Sequence, residues 1–329
     1  MNRAMRRSLR LDAQDYNGLL TGTGIARSAR LDANETMGFA RSLEAIDRKM
    51  YEKRYPELLA TKLLPIASGI PVGAKEYTYR YSDDVGAAQV SANLPNEEPR
   101  IDVVGGEESS PIVQVTAGYG YTLQDVEQAA LTGIAIDAKR ALAARKAIAR
   151  KVNELLLLGH AATGVVGLYK SSAVQSVSAT TGAWENGSRT ADQVLGDLQK
   201  FEREVMEETL GVEAPDTLVM PPVLYAIAST IRLSNTTETA LDFFLKKSRS
   251  VRSVEIDPLL ATAGSGSAER MVLYKRDPES VEGILPLEFE QLAPQSKSFS
   301  FSVPCRAVCG GAVIRFPGSM AYMDGCGGT

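Results

Sequence analysis

The alternation of apolar and polar positions divides the chain into a short series of elements. In KEYTYRY, Tyr77, Tyr79 and Tyr81 fall on one face at period two, with Thr78 and Arg80 on the other. PIVQVTAGYGY repeats the pattern with Val113, Val115, Ala117, Tyr119 and Tyr121. Both segments predict strands. The stretch between them is rich in charge and contains Pro95, Pro99, Gly105 and Gly106. A loop of that length is uncommon inside a compact domain and is usually functional or extended. It is expected to reach out as an arm toward another subunit.

Thr122 and Asp125 form a T-x-x-D capping box. Helix formers then run from Leu123 to Leu158, where Gly159 is placed to stop them. Val126, Ala130, Ile134, Ala138, Leu142, Ile148, Val152 and Leu155 fall near one stripe. Such a helix would be roughly 55 Å long, about the width of a globule of this chain length. That length predicts a flat or elongated molecule, and Gly133 is the position where a kink would come.

Further on, Thr190 with Gln193 opens an acidic amphipathic helix that runs to Leu210 and ends at Gly211. DTLVM predicts a short buried strand, and PPVLYAIAST a helix with proline in its first turn. FFLKKSRSVRSVEID reads as a basic helix end followed by a strand, and GSGSAE as a surface turn. MVLYKR, LEFEQL, SFSFSV and AVIRFP supply further strands, expected to alternate between buried and exposed positions. The strands are segregated rather than alternating strictly with helices, which makes the class α+β. Ahead of all this, a short helix is expected over Ala40 to Tyr55, stopped by Pro56. Residues 1 to 39 read as an arm that gains order only against a neighbour.

Composition narrows the function classes. Hydrophobic residues make up 44% and charged residues 23% of the 329, ordinary for a globular chain. No apolar run approaches the roughly 20 residues of a membrane-spanning helix. The basic start, MNRAMRRSLRLDAQD, lacks the apolar stretch of a secretory signal, so the chain is expected in the cytoplasm of the cell that makes it. Cys305, Cys309 and Cys326 follow no disulfide spacing and are expected as buried free thiols. The single histidine, His160, lies far from them in sequence, which argues against a zinc site.

The same histidine would have to serve any Ser-His or Cys-His mechanism, yet it lies just after a helix stop, where a capping or surface role is expected. No Gly-x-Ser-x-Gly elbow, Walker lysine loop or dinucleotide-binding glycine run is present. The carboxylate pairs Asp83–Asp84 and Glu97–Glu98 fall in expected loops, where screening leaves them ordinary acids. No catalytic residue, metal or cofactor is expected.

Net charge is −4, but its distribution says more. Residues 1 to 30 carry six arginines against two acids, and 139 to 151 carry six basic groups and no acid. Residues 97 to 108 hold five acids to one arginine, and 192 to 213 hold seven acids to two bases. Separated patches of opposite sign suit a protein that meets copies of itself or turns one face toward an anion; solvated helix faces explain them equally well.

Three segments carry a resemblance. RALAARKAIARKVNELLLLGHAATGVVGLY is similar to the end of a spine helix and the glycine turn after it. TADQVLGDLQKFEREVMEETLGVEAPDTLVMPPVLYAIAS resembles a helix–strand–Pro–helix core. SFSFSVPCRAVCGGAVIRFPGSMAYMDG resembles a set of closing strands. In this order, over residues 40 to 329, they resemble the major capsid proteins of tailed bacteriophages, which have the Hong Kong 97-type capsid fold. The likeness implies an N-terminal arm (1–50), a peripheral domain (51–70, 111–160 and 286–329, its spine helix at about 122–158), an extended two-stranded loop (71–110) and an axial domain (161–285).

It further implies pentamers and hexamers of one chain tiling an icosahedral head around double-stranded DNA, with the extended loop lying over a neighbour. Arg145, Lys146, Arg150 and Lys151 are the candidate DNA-facing residues, since non-specific basic groups lower the repulsion of packaged DNA without reading sequence. Some members of the family carry a long N-terminal extension that acts as scaffold and is cleaved off. This chain has no space for one, so a separate scaffolding protein is expected, with a portal and decoration proteins as further partners. No crosslink through Lys75 is expected. Two alternatives stay open. One is a shell of the encapsulin type around a cargo enzyme. The other is a DNA-binding module with a basic arm, against which the pI near 5.4 argues.

Overall fold

The computed structural model describes residues 55–86, 88, 100–132, 136–180, 182–185, 189–234 and 236–327. The expected arm over 1–50, the helix expected from Ala40 (apart from Tyr55), the middle of the long loop and Gly133 lie outside the described residues. Residues 56–329 form one compact unit.

This unit begins with a one-turn helix α1 (Ala60–Leu63) and strands β1 (Glu76–Val85), β2 (Asp102–Pro111) and β3 (Val113–Thr122). Helices α2 (Leu123–Thr132) and α3 (Ile136–Leu157) follow, then the short strands β4 (Gly159–His160), β5 (Val165–Val166) and β6 (Gln175–Ser178). Next come α4 (Ala191–Glu208), β7 (Thr217–Met220), α5 (Pro222–Thr230), α6 (Ala240–Lys247), β8 (Ser253–Ile256) and β9 (Arg270–Tyr274). The chain closes through β10 (Val281–Ile284), β11 (Leu287–Gln291), β12 (Gln295–Lys297), β13 (Ser300–Cys309), β14 (Gly311–Ile314) and β15 (Met320–Asp324).

β3 alternates half-buried and exposed positions along its whole length, with the five apolar residues read from the sequence on the inner face. It pairs antiparallel with β13 from Val113↔Cys309 to Thr122↔Ser300, and β11 and β12 take the other edge of β13. α3 packs Ala144, Ile148, Val152, Leu155 and Leu156 into the core that this sheet covers. The side chain of Asn153, itself buried, accepts a 2.9 Å hydrogen bond from the amide of Ala60 and so fastens α1 to α3. Gly159 ends α3 at φ 72, where an added Cβ would stand 2.5 Å from the Val165 carbonyl oxygen.

The apolar stripe expected from Val126 to Leu155 is buried only in its second half. Val126, Ala130, Ala138 and Leu142 are exposed, because the β3–β13 sheet backs α3 from Ala144 onward. Sequence periodicity marks a face that can be buried, and here part of that face stays exposed.

The second sheet runs in the order β6-β15-β9-β7-β8, with β15–β6 and β7–β8 parallel and the pairs at β9 antiparallel. Its central strands β15, β9 and β7 are buried on both faces. Leu218, Met220, Met271, Leu273, Ala321 and Met323 pack toward α4, α5 and α6. Val219, Val272, Tyr274, Met320 and Tyr322 join the core around α3. Burial on both sides is why DTLVM reads as a buried strand, and the alternation expected of MVLYKR is absent because every residue of β9 is buried. β15 comes from the end of the chain and inserts between β6 and β9, so residues 320–324 share a sheet with residues of the 161–285 stretch. The seam between the two cores is built on tyrosines. The hydroxyls of Tyr169, Tyr274 and Tyr322 donate to Asp257 Oδ2 (2.8 Å), the Leu63 carbonyl (2.7 Å) and the Leu168 carbonyl (2.5 Å). Burial pushes the Tyr322 hydroxyl up to about 12, so it stays neutral, donating to Leu168 and accepting from the Ser171 amide at 3.1 Å.

Candidate functional site

β1 and β2 pair antiparallel over ten residues each, from Glu76↔Pro111 to Val85↔Asp102. Among the described residues they bond to no other strand. An isolated two-stranded ribbon is marginal in water and leaves both edges open for pairing. β2 falls in the stretch expected to be loop. DVVGGEESSP shows no period-two alternation because beyond the root neither face of the ribbon is covered, so the pairing with β1 leaves no hydrophobic trace. The ring of Tyr81 lies over Gly106, where an added Cβ would stand 2.4 Å from it.

Across the ribbon Arg80 Nε meets Glu107 Oε1 at 2.6 Å, and the Tyr79 hydroxyl donates to Glu108. Burial first, then the Glu108 carboxylate, raises the Tyr79 hydroxyl well above the ordinary tyrosine value. The far end mixes exposed apolar residues, Tyr81, Val85, Ile101, Val103 and Val104, each at least half exposed, with the exposed Asp83, Asp84 and Asp102 opposite them. Register puts Tyr81, Val85 and Val104 on one face and Val103 on the other. The run Ile101-Asp102-Val103-Val104 inside an acidic loop was the signal available in the sequence, and it passed unread.

The root of the ribbon is fixed. Tyr77 and Tyr79 are half-buried against Ala67, Ile284 and Val313. Arg315 bonds Glu282 at 2.6 Å and the Tyr77 hydroxyl at 3.0 Å, with its guanidinium 5.9 Å from the Tyr79 ring centroid. The Ser110 hydroxyl donates to the Gly310 carbonyl at 3.1 Å. The ribbon is thus firmly rooted at one end and left uncovered by its own unit at the other.

The four basic residues expected to act together on α3 point in different directions. Arg145 lies 5.7 Å from the Phe289 ring centroid on β11, a cation–π distance. Lys151 pairs with Glu154 at 2.8 Å. Lys146 and Arg150 are one turn apart and exposed, and Lys139, two turns before Lys146, lies on the same face. Arg150 Nε also donates to the Lys146 carbonyl at 3.2 Å. Arg140 turns back to Asp125 and the Gly120 carbonyl, both at 3.0 Å. There Asp125 completes the capping box with Thr122. The Thr122 amide and then Arg140 hold the Asp125 carboxyl below its usual value.

The remaining chemistry is structural. Cys305, Cys309 and Cys326 are buried and free, and burial pushes the Cys309 thiol up to about 11, which leaves it protonated. His160 is exposed, with Nδ1 3.1 Å from Thr163 Oγ1. Asp83 and Asp84 lie on β1, exposed. Among the described residues no cluster of three His, Cys, Asp or Glu is arranged to hold a metal ion.

A protein-family model described as Major capsid protein matches residues 86–326. In sequence, no curated protein matches the chain. Among solved structures the chain is similar to the capsid of Myoviridae phage XM1, with a TM-score of 0.77 and 17% identity over 87% of this chain and 98% of that one. It is similar to Mycobacterium phage Bobi at 0.59 and 13%, covering 87% and 96%. It is also similar to a virus-like particle from Pyrococcus furiosus at 0.51 and 13%, covering 80% and 91%. At these identities the likeness is one of fold.

Proposed function

The chain belongs to the major capsid protein family and has the Hong Kong 97-type capsid fold, and from that premise we propose that it forms the pentamers and hexamers of an icosahedral phage head around double-stranded DNA. One observation carries the reading into this molecule's own chemistry. A ten-residue ribbon, rooted through Arg315 and Tyr77, ends in apolar residues that its own unit does not cover. Laid over the neighbouring subunit, that ribbon gains the burial it lacks alone. The exposed apolar residues of α2, Leu123, Val126 and Leu131, suit a second contact between copies.

In this reading the β3–β13 sheet with α3 is the peripheral domain and residues 71–110 the extended loop. The five-stranded sheet with α4, α5 and α6 is the axial domain, with residues 320–324 included. The role is architectural and needs no catalysis. Lys146 and Arg150, with Lys139, form the face best suited to packaged DNA, and Arg145 and Lys151 flank it. Their task is to neutralise phosphate without reading bases. A separate scaffolding protein, a portal and decoration proteins complete the particle, which assembles in the cytoplasm of the bacterial host.

Family membership favours this reading over a nanocompartment or a basic-arm DNA-binding module. The content of purified particles tests it. Nuclease-protected double-stranded DNA supports the phage head, and particles filled with one protein and no nucleic acid would overturn it in favour of the compartment.

A further inference from the structure

The chain leaves β15 through Gly325, at φ 85, and Gly327 then lies against Glu269, the residue before β9. A Cβ at Gly327 would stand 2.5 Å from Glu269 Oε2 and 2.7 Å from its Cγ and Cδ, so the backbone passes directly over the carboxyl group. Oε2 is shut away from water and, among the described residues, is the one buried side-chain nitrogen or oxygen without a hydrogen-bond partner. A carboxylate oxygen in that position is costly while ionised. Glu185 adds a like charge. Burial first, then Glu185, raises the Glu269 carboxyl above its usual value.

The other charged groups of this corner are committed elsewhere. Arg270 binds Asp324, Asp197 accepts from the Trp184 indole and the Thr180 amide at 3.0 Å, and Arg189 Nε donates to the Ala183 carbonyl at 3.0 Å. The segment over Glu269 is closed by backbone bonds: the Trp184 amide donates to the Cys326 carbonyl at 2.6 Å, and the Ala179 amide to the Asp324 carbonyl at 3.2 Å. Both Trp184 and Cys326 are buried by that closure. We propose that Glu269 is a proton-operated latch. Neutral, it lets residues 325–327 lie closed against residues 179–185; ionised, it drives them apart and uncovers Cys326. Glycine at 325 and 327 leaves that backbone free to turn. A carboxyl held above its ordinary value gives the closed form stability that is complete below that value and is lost as pH rises through the raised one. The corner therefore tightens in acid and loosens at neutral pH. The latch belongs to the subunit's own fold and goes beyond the shell reading.

Hydrogen exchange of the Trp184 amide in the full chain reports the latch, because its acceptor is the Cys326 carbonyl. Corrected for intrinsic exchange, Glu269→Gln should protect that amide at least fivefold better than the unaltered chain at pH 7.5 and equally well at pH 4.5. Glu185→Gln should act in the same direction by a smaller factor. In both variants Cys326 should alkylate more slowly at pH 7.5, with Cys305 and Cys309 unchanged. A merely structural role for Glu269 would lower protection in Glu269→Gln at both pH values. That result, equal protection at pH 7.5, or a gain that persists undiminished at pH 4.5 overturns the latch. Should Glu269→Gln fail to fold, Glu185→Gln decides: protection unaltered at pH 7.5 overturns it.

Discussion

Arg270 and Asp324 face each other across β9 and β15, and the guanidinium binds both carboxylate oxygens at 2.7 Å. The guanidinium also lies 4.3 Å from the Tyr322 ring centroid and donates to the Tyr169 carbonyl at 2.7 Å. This pair sits on the seam where the two cores meet, with side chains only 10% and 17% exposed. Burial alone would raise the Asp324 carboxyl; the Arg270 bonds outweigh it and hold the group below its usual value. Its contribution to stability is therefore complete above the ordinary carboxylate range and is lost as pH falls through the lowered value. Asp324→Asn should destabilise the subunit by about 3–5 kcal/mol at pH 7, because it leaves a buried arginine unpaired. Its stability should also fall less on going to pH 3. Urea unfolding of both proteins at the two pH values checks the size and the sign.

Asn153 holds the start of α1 through one bond to a backbone amide. Asn153→Ala leaves that buried donor without its acceptor and should cost about 1–3 kcal/mol. Asn153→Asp, which keeps an acceptor oxygen, should lose less at a pH where it is ionised. Thermal unfolding of the two variants separates the lost bond from lost packing.

The apolar end of the β1–β2 ribbon should matter to assembly and hardly to the subunit. Val103→Ser with Val104→Ser changes exposed positions without setting like charges opposite Asp84 and Asp83, so stability should shift by no more than about 0.5 kcal/mol. The yield of closed particles should nonetheless fall steeply. Unfolding and particle counts by electron microscopy, made on the same preparations, are the paired readouts.

Lys146→Glu with Arg150→Glu reverses charge on an exposed helix face. Empty shells should form at normal yield, while the length of DNA held per particle, or its retention at low salt, should drop. Charge reversal that blocks assembly and leaves DNA content per particle unchanged would place this face between subunits.

How far the sequence could be read depended on what each face is packed against. β3 was legible to the residue because one side meets the core and the other does not, so Val113 through Tyr121 alternate. β7 was legible as a buried strand because both sides are covered, whereas β9, expected to alternate, is buried along its whole length. β2 was not, since a ribbon open on both faces needs no alternation, and Gly105 and Gly106 read as turn residues. The capping boxes at Thr122 and Thr190 stand as read, each with both bonds in place. The basic residues of α3 were visible as a cluster, but a helix spreads consecutive charges around its axis. Only the structure sends Arg145 to Phe289 and Lys151 to Glu154.

The most direct test of the central claim is electron microscopy of the full chain expressed with the products of its neighbouring head genes. Closed icosahedral shells built from this chain, with the β1–β2 ribbon lying across an adjacent subunit, are the expected result. A protein that stays a monomer or dimer under those conditions, with no capsomer or shell in any preparation, would contradict the account.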